Sequence, residues 1–187
     1  MGKIVVTEFV SLDGVMEAPG GGESYKHQGW TFEIDRGPEG DEFKLNEARA
    51  AEALLLGRTT YEGFAAAWPG MEGEFADKFN GMPKYVVSST LTDPTWNNTT
   101  VLSGELAQEI AKLKQDVAGE LQVHGSAQLV QGLLEHGLID ELRLMVFPVA
   151  LGSGKRLFGD SDQKRSLSLS DCKTVGDGIA VLTYLAD

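Results

Sequence analysis

Ala53-Leu54-Leu55-Leu56 is a run of consecutive apolar residues stopped by Gly57. Such a run suits a central strand covered on both faces, which is the environment of a parallel sheet. It is not isolated. Ile4–Val10 is β-branched and aromatic and ends at the turn signal Asp13-Gly14, and Lys84–Ser88, Thr99–Leu102, Leu121–His124 and Glu141–Val149 read as further strands. Helical spacing fills the gaps, over about 39–51, from a Thr59 or Thr60 cap toward Trp68, over 74–80, after Ser103 and over 127–136. The chain closes on two strands, 167–173 and 179–185, around the hairpin signal Gly176-Asp177-Gly178. Alternating strands and helices followed by consecutive strands predict an α/β fold: a mostly parallel central sheet between helical layers, with antiparallel C-terminal strands. Without repeats or a linker, 187 residues read as one domain spanning 1–187.

Composition narrows the function. Twenty-eight acidic against 16 basic residues give a net charge of -12, which opposes encounter with nucleic acid or an anionic membrane. A single cysteine, Cys172, excludes an intrachain disulfide and a cysteine zinc site, and it is expected to be an inert strand residue. The three histidines are scattered, so no protein-borne metal site is expected. No stretch is long and apolar enough for a membrane helix, and the expected location is the cytoplasm. G-x-S-x-G is absent, and Leu151–Arg156 lacks the glycine and hydroxyl positions of a Walker loop.

What survives is a set of strand ends opening onto small and hydroxyl residues at helix starts: Gly57-Arg58-Thr59-Thr60, Ser88-Ser89-Thr90 and Gly125-Ser126-Ala127-Gln128. Ligands bind at the carboxyl ends of parallel strands, and helix N-termini hold phosphates through free N–H groups. Three separated sites suit an extended phosphorylated ligand such as a dinucleotide, although caps and turns use the same residue types.

These junctions, in this order, resemble the dihydrofolate reductase superfamily. Gly137-Leu138-Ile139-Asp140-Glu141-Leu142-Arg143-Leu144, with Pro148 and Leu151-Gly152-Ser153-Gly154, resembles its branch containing the reductase domain of the bifunctional riboflavin-pathway deaminase-reductase. The resemblance spans essentially residues 3–185. It implies a dihydrofolate reductase-like three-layer sandwich with NADPH across the strand ends. Gly57, Arg58, Thr59 and Thr60 would hold phosphates, and Ser88 and Ser89 the adenosine 2′-phosphate. Gly125, Ser126, Ala127 and Gln128 would let the pyrophosphate or nicotinamide approach the backbone.

Val10–Met16 resembles the mobile segment beside the nicotinamide, which makes Asp13 a candidate catalytic contact as well as a turn residue. Asp35 is the candidate proton source, on the premise that a buried carboxyl has a raised pKa. Trp30, Tyr61, Phe64 and Trp68 are candidate walls of the substrate pocket, and Lys155 and Arg156 a candidate second anion site. His124 is expected to bond neighbouring backbone, and Asp140-Glu141 to form a structural turn.

The implied activity is NADPH-dependent reduction of a small molecule, with 5-amino-6-(5-phosphoribosylamino)uracil as the riboflavin-branch substrate. A pterin reductase and a non-catalytic dinucleotide-binding protein are the alternatives. H-x-E and C-x-x-C are absent, so no zinc deaminase accompanies the reductase. The family and the apolar C-terminal strands imply a homodimer.

Overall fold

The structure, a computed structural model, describes residues 1–186. Eight strands form one sheet in the order β4-β3-β2-β5-β1-β6-β8-β7. They are β1 (Lys3–Ser11), β2 (Ala51–Gly57), β3 (Lys84–Val87), β4 (Thr99–Leu102), β5 (Glu120–Val123), β6 (Glu141–Phe147), β7 (Leu167–Val175) and β8 (Ile179–Ala186). The first six run parallel, and β8 is antiparallel to both β6 and β7. The helices are α1 (Gly37–Ala50), α2 (Arg58–Ala67), α3 (Glu74–Gly81), α4 (Leu106–Asp116) and α5 (Ala127–Glu135), with a 3-10 turn at Trp30–Glu33. The expected architecture is therefore present. The expected Thr59 or Thr60 cap is not: Gly57 is the N-cap of α2, and no side chain bonds its first turn.

Strand alternation splits the core into two helical layers. Ala53 and Leu55 of β2 face one way, with Leu121 and Val123 of β5 and with Ile110 of α4 and Val130 of α5. Leu54 and Leu56 face the other way, with Ala48 of α1, Tyr61 of α2 and Phe79 of α3. A third cluster under β6 and β8 holds Trp30, Phe147, Ile179 and Val181. Both faces of the central strands are covered, which is why the sequence shows continuous apolar runs there.

The β1 strand departs from that rule, because Thr7 and Glu8 are buried within it. Thr7 meets two buried charges from α1. Lys44 Nζ lies 2.6 Å from Glu47 Oε2 and donates to Thr7 Oγ1 at 2.8 Å, and Thr7 Oγ1 donates to Glu47 Oε2 at 2.9 Å. The Glu47 carbonyl accepts from Gln122 Nε2 at 2.7 Å, so the same helix turn is tied to β5. Glu8 has no such arrangement, and its Oε1 is buried without a hydrogen bond.

Two stability predictions follow from these groups. Glu47→Ala leaves Lys44 buried without its carboxylate and should lower the unfolding free energy by about 3–5 kcal/mol in urea titrations. Burial raises the Glu8 pKa well above 4.5, so the folded chain keeps a proton that the unfolded chain releases. The Glu8 contribution to stability is then fully present below pH 4.5 and is lost as pH rises toward its folded pKa. Urea midpoints compared across pH for wild type and Glu8→Gln should show that loss in wild type alone.

Candidate functional site

Two strand-to-helix junctions meet at the C-terminal edge of the sheet. β2 ends at Gly57 and feeds α2, while β5 ends at Val123 and feeds α5 through His124-Gly125-Ser126. The Gly57 N–H donates to the Gly125 carbonyl at 3.1 Å. A Cβ on Gly57 would run into Ser126 Oγ and come within 3.0 Å of Ser126 Cβ. Gly125 has φ +110, where side chains are strained, and a Cβ there would lie 2.6 Å from Thr60 Oγ1. The Gly125–Ser126 peptide is cis. Neither α2 nor α5 has a side-chain cap, so their first-turn N–H groups are open to an anion.

Beside this crevice a hollow of about 360 Å³ opens at the ends of β3 and β4, lined in part by Arg58, Ser88, Ser89, Thr90, Ser103 and Gly104. Arg58 Nε donates to Glu62 at 2.7 Å, and its Nη1 donates to Thr90 Oγ1. Ser88 Oγ accepts from Thr90 N at 3.2 Å and Leu91 N at 3.0 Å, which fixes the turn, while Ser89 is exposed. One cation among hydroxyls, next to two open helix starts and a glycine cradle, is a donor set that fits the phosphates of a dinucleotide. Ser103 and Gly104 mark only a helix start in the sequence, although they follow β4 and so belong to the same edge. A hollow of about 440 Å³ at Ala51, Glu52, Asp77, Lys78, Met82 and Pro83 lies at the opposite end, where β2 and β3 begin.

Other expected residues stand elsewhere. Asp35 is exposed, its carboxylate accepts from Gly37 N at 2.8 Å, and its carbonyl accepts from Asp177 N in the β7–β8 turn. The buried setting that its proton-donor role required is absent. Asp13 accepts from Ser11 Oγ at 2.6 Å, Leu151 N at 3.0 Å and Gly152 N at 2.8 Å. These bonds hold its carboxyl far below the usual carboxylate range, so it is an ionised clamp between the β1 turn and the Leu151 loop, without a proton to give. Trp30 and Tyr61 are core residues rather than pocket walls. Trp30 packs edge-on against Phe147 and donates to the Glu17 carbonyl, and the Tyr61 hydroxyl accepts from Trp96 N. Phe64 and Trp68 are half-buried in one aromatic cluster with Phe79. Lys155 lies near Glu17 and Glu23, and Arg156 donates to the Asp13 and Gly152 carbonyls, so both cations have local partners.

His124 has no hydrogen bond to neighbouring backbone. Its ring packs 5.3 Å from Phe79 and 6.2 Å from Phe64, and Nε2 is buried without a partner. Burial first, and the Lys44 charge second, hold its pKa well below 6.5, so the imidazole is neutral. Among the described residues no cluster of three or more His, Cys, Asp or Glu side chains could hold a metal, and no helix is long and apolar enough to cross a membrane.

Known proteins resemble this chain in sequence and in fold. YyaP, an uncharacterized protein of Bacillus subtilis, is 27% identical over 187 residues, covering 97% of this chain and 94% of its own. A putative riboflavin biosynthesis protein from Shewanella sp. PV-4 superposes with a TM-score of 0.81 at 23% identity, over 99% of both chains. Dihydrofolate reductase from Enterococcus faecalis, complexed with NADP(H), superposes with a TM-score of 0.59 at 14% identity, over 99% of this chain and 96% of its own. At those identities the two structures establish the dihydrofolate reductase-like fold alone. The sequence pattern of the RibD C-terminal domain matches residues 2–181, and with nearly the whole chain matched, this protein belongs to the RibD C-terminal domain family.

Proposed function

We propose that this chain is a cytoplasmic NADPH-dependent reductase of RibD type acting on a small heterocyclic or ribosyl substrate. The observation that carries the reading is the meeting of the α2 and α5 starts at Gly57 and Gly125, with Arg58 and the Ser88–Thr90 turn on one flank. Gly57, Thr59, Thr60, Ser126, Ala127 and Gln128 hold the pyrophosphate through first-turn N–H groups and hydroxyls. Arg58, Ser88 and Ser89 receive the adenosine 2′-phosphate. Gly125 leaves room for the nicotinamide, which when bound supplies a hydride. The protein's part is to orient both reactants and limit water around them.

The substrate of the riboflavin branch, 5-amino-6-(5-phosphoribosylamino)uracil, is the first to test. Lys155 and Arg156 are engaged locally, so a substrate phosphate would have to compete with Glu17 and Glu23 for Lys155. That competition keeps the pterin alternative in the substrate panel. A homodimer is also proposed, through the β7 edge, where Leu169 and Cys172 are exposed.

Trp30, Trp68 and Trp96 give a fluorescence signal for titration with NADPH and, separately, NADH. Saturable binding of NADPH, clearly tighter than NADH, is expected, and Arg58→Ala should weaken NADPH by about tenfold, as loss of a charge-assisted hydrogen bond does. No saturation with either dinucleotide would remove the reductase reading. Binding without NADPH oxidation across uracil and pterin substrates would leave a non-catalytic dinucleotide-binding protein. Sedimentation equilibrium should return twice the 20.1 kDa of one chain, and a mass of one chain would remove the dimer.

A further inference from the structure

The hollow beside the crevice holds less free positive charge than its donors suggest. Arg58 is the one cation among its lining residues. Arg58 Nε lies 2.7 Å from Glu62 Oε1, one turn further along α2, and both side chains are about half exposed. At the end of β4, Gly104 N donates to Glu109 Oε1 at 3.2 Å, and a Cβ on Gly104 would run into that oxygen. The start of α4 is closed as well, since Glu105 is its N-cap and accepts from Gln108 N at 3.3 Å. The starts of α2 and α5 have no such side-chain cap. One guanidinium therefore stands against three carboxylates, two of them bonded directly to groups that line the hollow.

We propose that Glu62 and Glu109 are specificity-determining residues of the dinucleotide site, whose charges hold the preference for NADPH over NADH below what Arg58 and the hydroxyls would give. The proposal rests on the reductase reading above and concerns the same hollow.

The two cofactors differ only at the adenosine ribose. A phosphate there carries about 1.5 to 2 negative charges at pH 7, whereas the hydroxyl of NADH carries none. The side-chain hydroxyls of Ser88, Ser89, Thr90 and Ser103 can donate to either group and accept from a ribose hydroxyl, so they do not separate the two strongly. A carboxylate at the rim does, because it repels the phosphate and leaves the hydroxyl almost unaffected. Glu62 sets a negative charge against the one guanidinium. Glu109 occupies the Gly104 N–H and brings a second negative charge to the end of β4.

Glu62 also has an opposite effect, because its bond to Arg58 helps to aim the guanidinium. Magnitudes decide between the two. Thr90 Oγ1 accepts from Arg58 Nη1, so the side chain keeps a tie to the hollow without Glu62. An exposed pair four residues apart on a helix contributes about twofold to such ordering. Removing a full charge beside a multiply charged phosphate is worth about fivefold. The repulsion is the larger effect, and it fixes the sign of the outcome.

The test is tryptophan-fluorescence titration of NADPH and, separately, NADH in wild type, Glu62→Gln, Glu109→Gln and the double variant. Glutamine keeps an amide oxygen for Arg58 Nε and Gly104 N while removing the charge. Each single variant should raise the NADPH-to-NADH affinity ratio about fivefold, and the double variant should raise it further. Glu62→Asp keeps the charge and shortens the reach to Arg58, so its ratio should stay within about twofold of wild type. A ratio that falls in Glu62→Gln makes that residue only an orienter of Arg58 and overturns the proposal. An unchanged ratio in both single variants, or an equal rise in Glu62→Asp and Glu62→Gln, overturns it too, and in each case the dinucleotide site itself stands. Absence of saturable binding of either dinucleotide to wild type removes the reductase reading and the proposal with it.

Discussion

The contact between Gly57 and the Gly125–Ser126 turn joins the two halves of the site. It is a backbone hydrogen bond of 3.1 Å made where neither glycine has space for a side chain. β2 and β5 are sheet neighbours although 62 residues of chain, containing α2, α3, β3, β4 and α4, separate the end of one from the start of the other. The pairing of Leu54 with Gln122 sets their register, and the glycine contact finishes it where the strands end. Both helices then begin at one crevice, so the open N–H groups of two first turns face the same space. A methyl group at Gly57 would push the junctions apart and separate the two groups of donors.

A second set of interactions positions the other wall. α1 carries Lys44 and Glu47 into the interior and ties them to Thr7 of β1, while the Glu47 carbonyl reaches Gln122 of β5. Buried ions are costly unless paired and hydrogen-bonded; Lys44 and Glu47 pair with each other and with Thr7, while Glu47 Oε1 is left without a hydrogen bond, 3.8 Å from Arg143 Nη1. The network is directional where an apolar contact would not be. It fixes the depth at which α1 sits on the sheet, and the Lys44 charge adds to burial in keeping His124 neutral.

Much of this could be read from the residues in order. The apolar run at residues 53–56, the strands on either side of it, and the Gly176-Asp177-Gly178 turn gave the layers and the antiparallel end, because burial on both faces and a tight turn each leave a local mark. The glycine and hydroxyl junctions were legible for the same reason. Roles that depend on burial were not. Asp35 and Glu8 are both acids near the start of the chain, and no neighbour in sequence reveals that the first is exposed and the second enclosed. Trp30 and Tyr61 carry groups that suit a pocket wall, yet the Glu17 carbonyl and the Trp96 N–H satisfy them inside the core. Lys84 opens a strand in the sequence as a solvent-facing lysine would, but it is buried, with its ammonium over the Trp96 ring and donating to the Asn80 carbonyl.

The sequence by itself determined the element order, the layered α/β architecture and the glycine and hydroxyl character of the strand ends. Those properties follow from periodicity and turn chemistry acting over a few residues. Only the tertiary structure decided which acid is shielded from water, which lysine is paired and which junctions touch. Desolvation and close approach depend on groups far apart in the chain, such as Glu47 with Thr7 and Gly57 with Gly125, and become defined only when the sheet register brings them together.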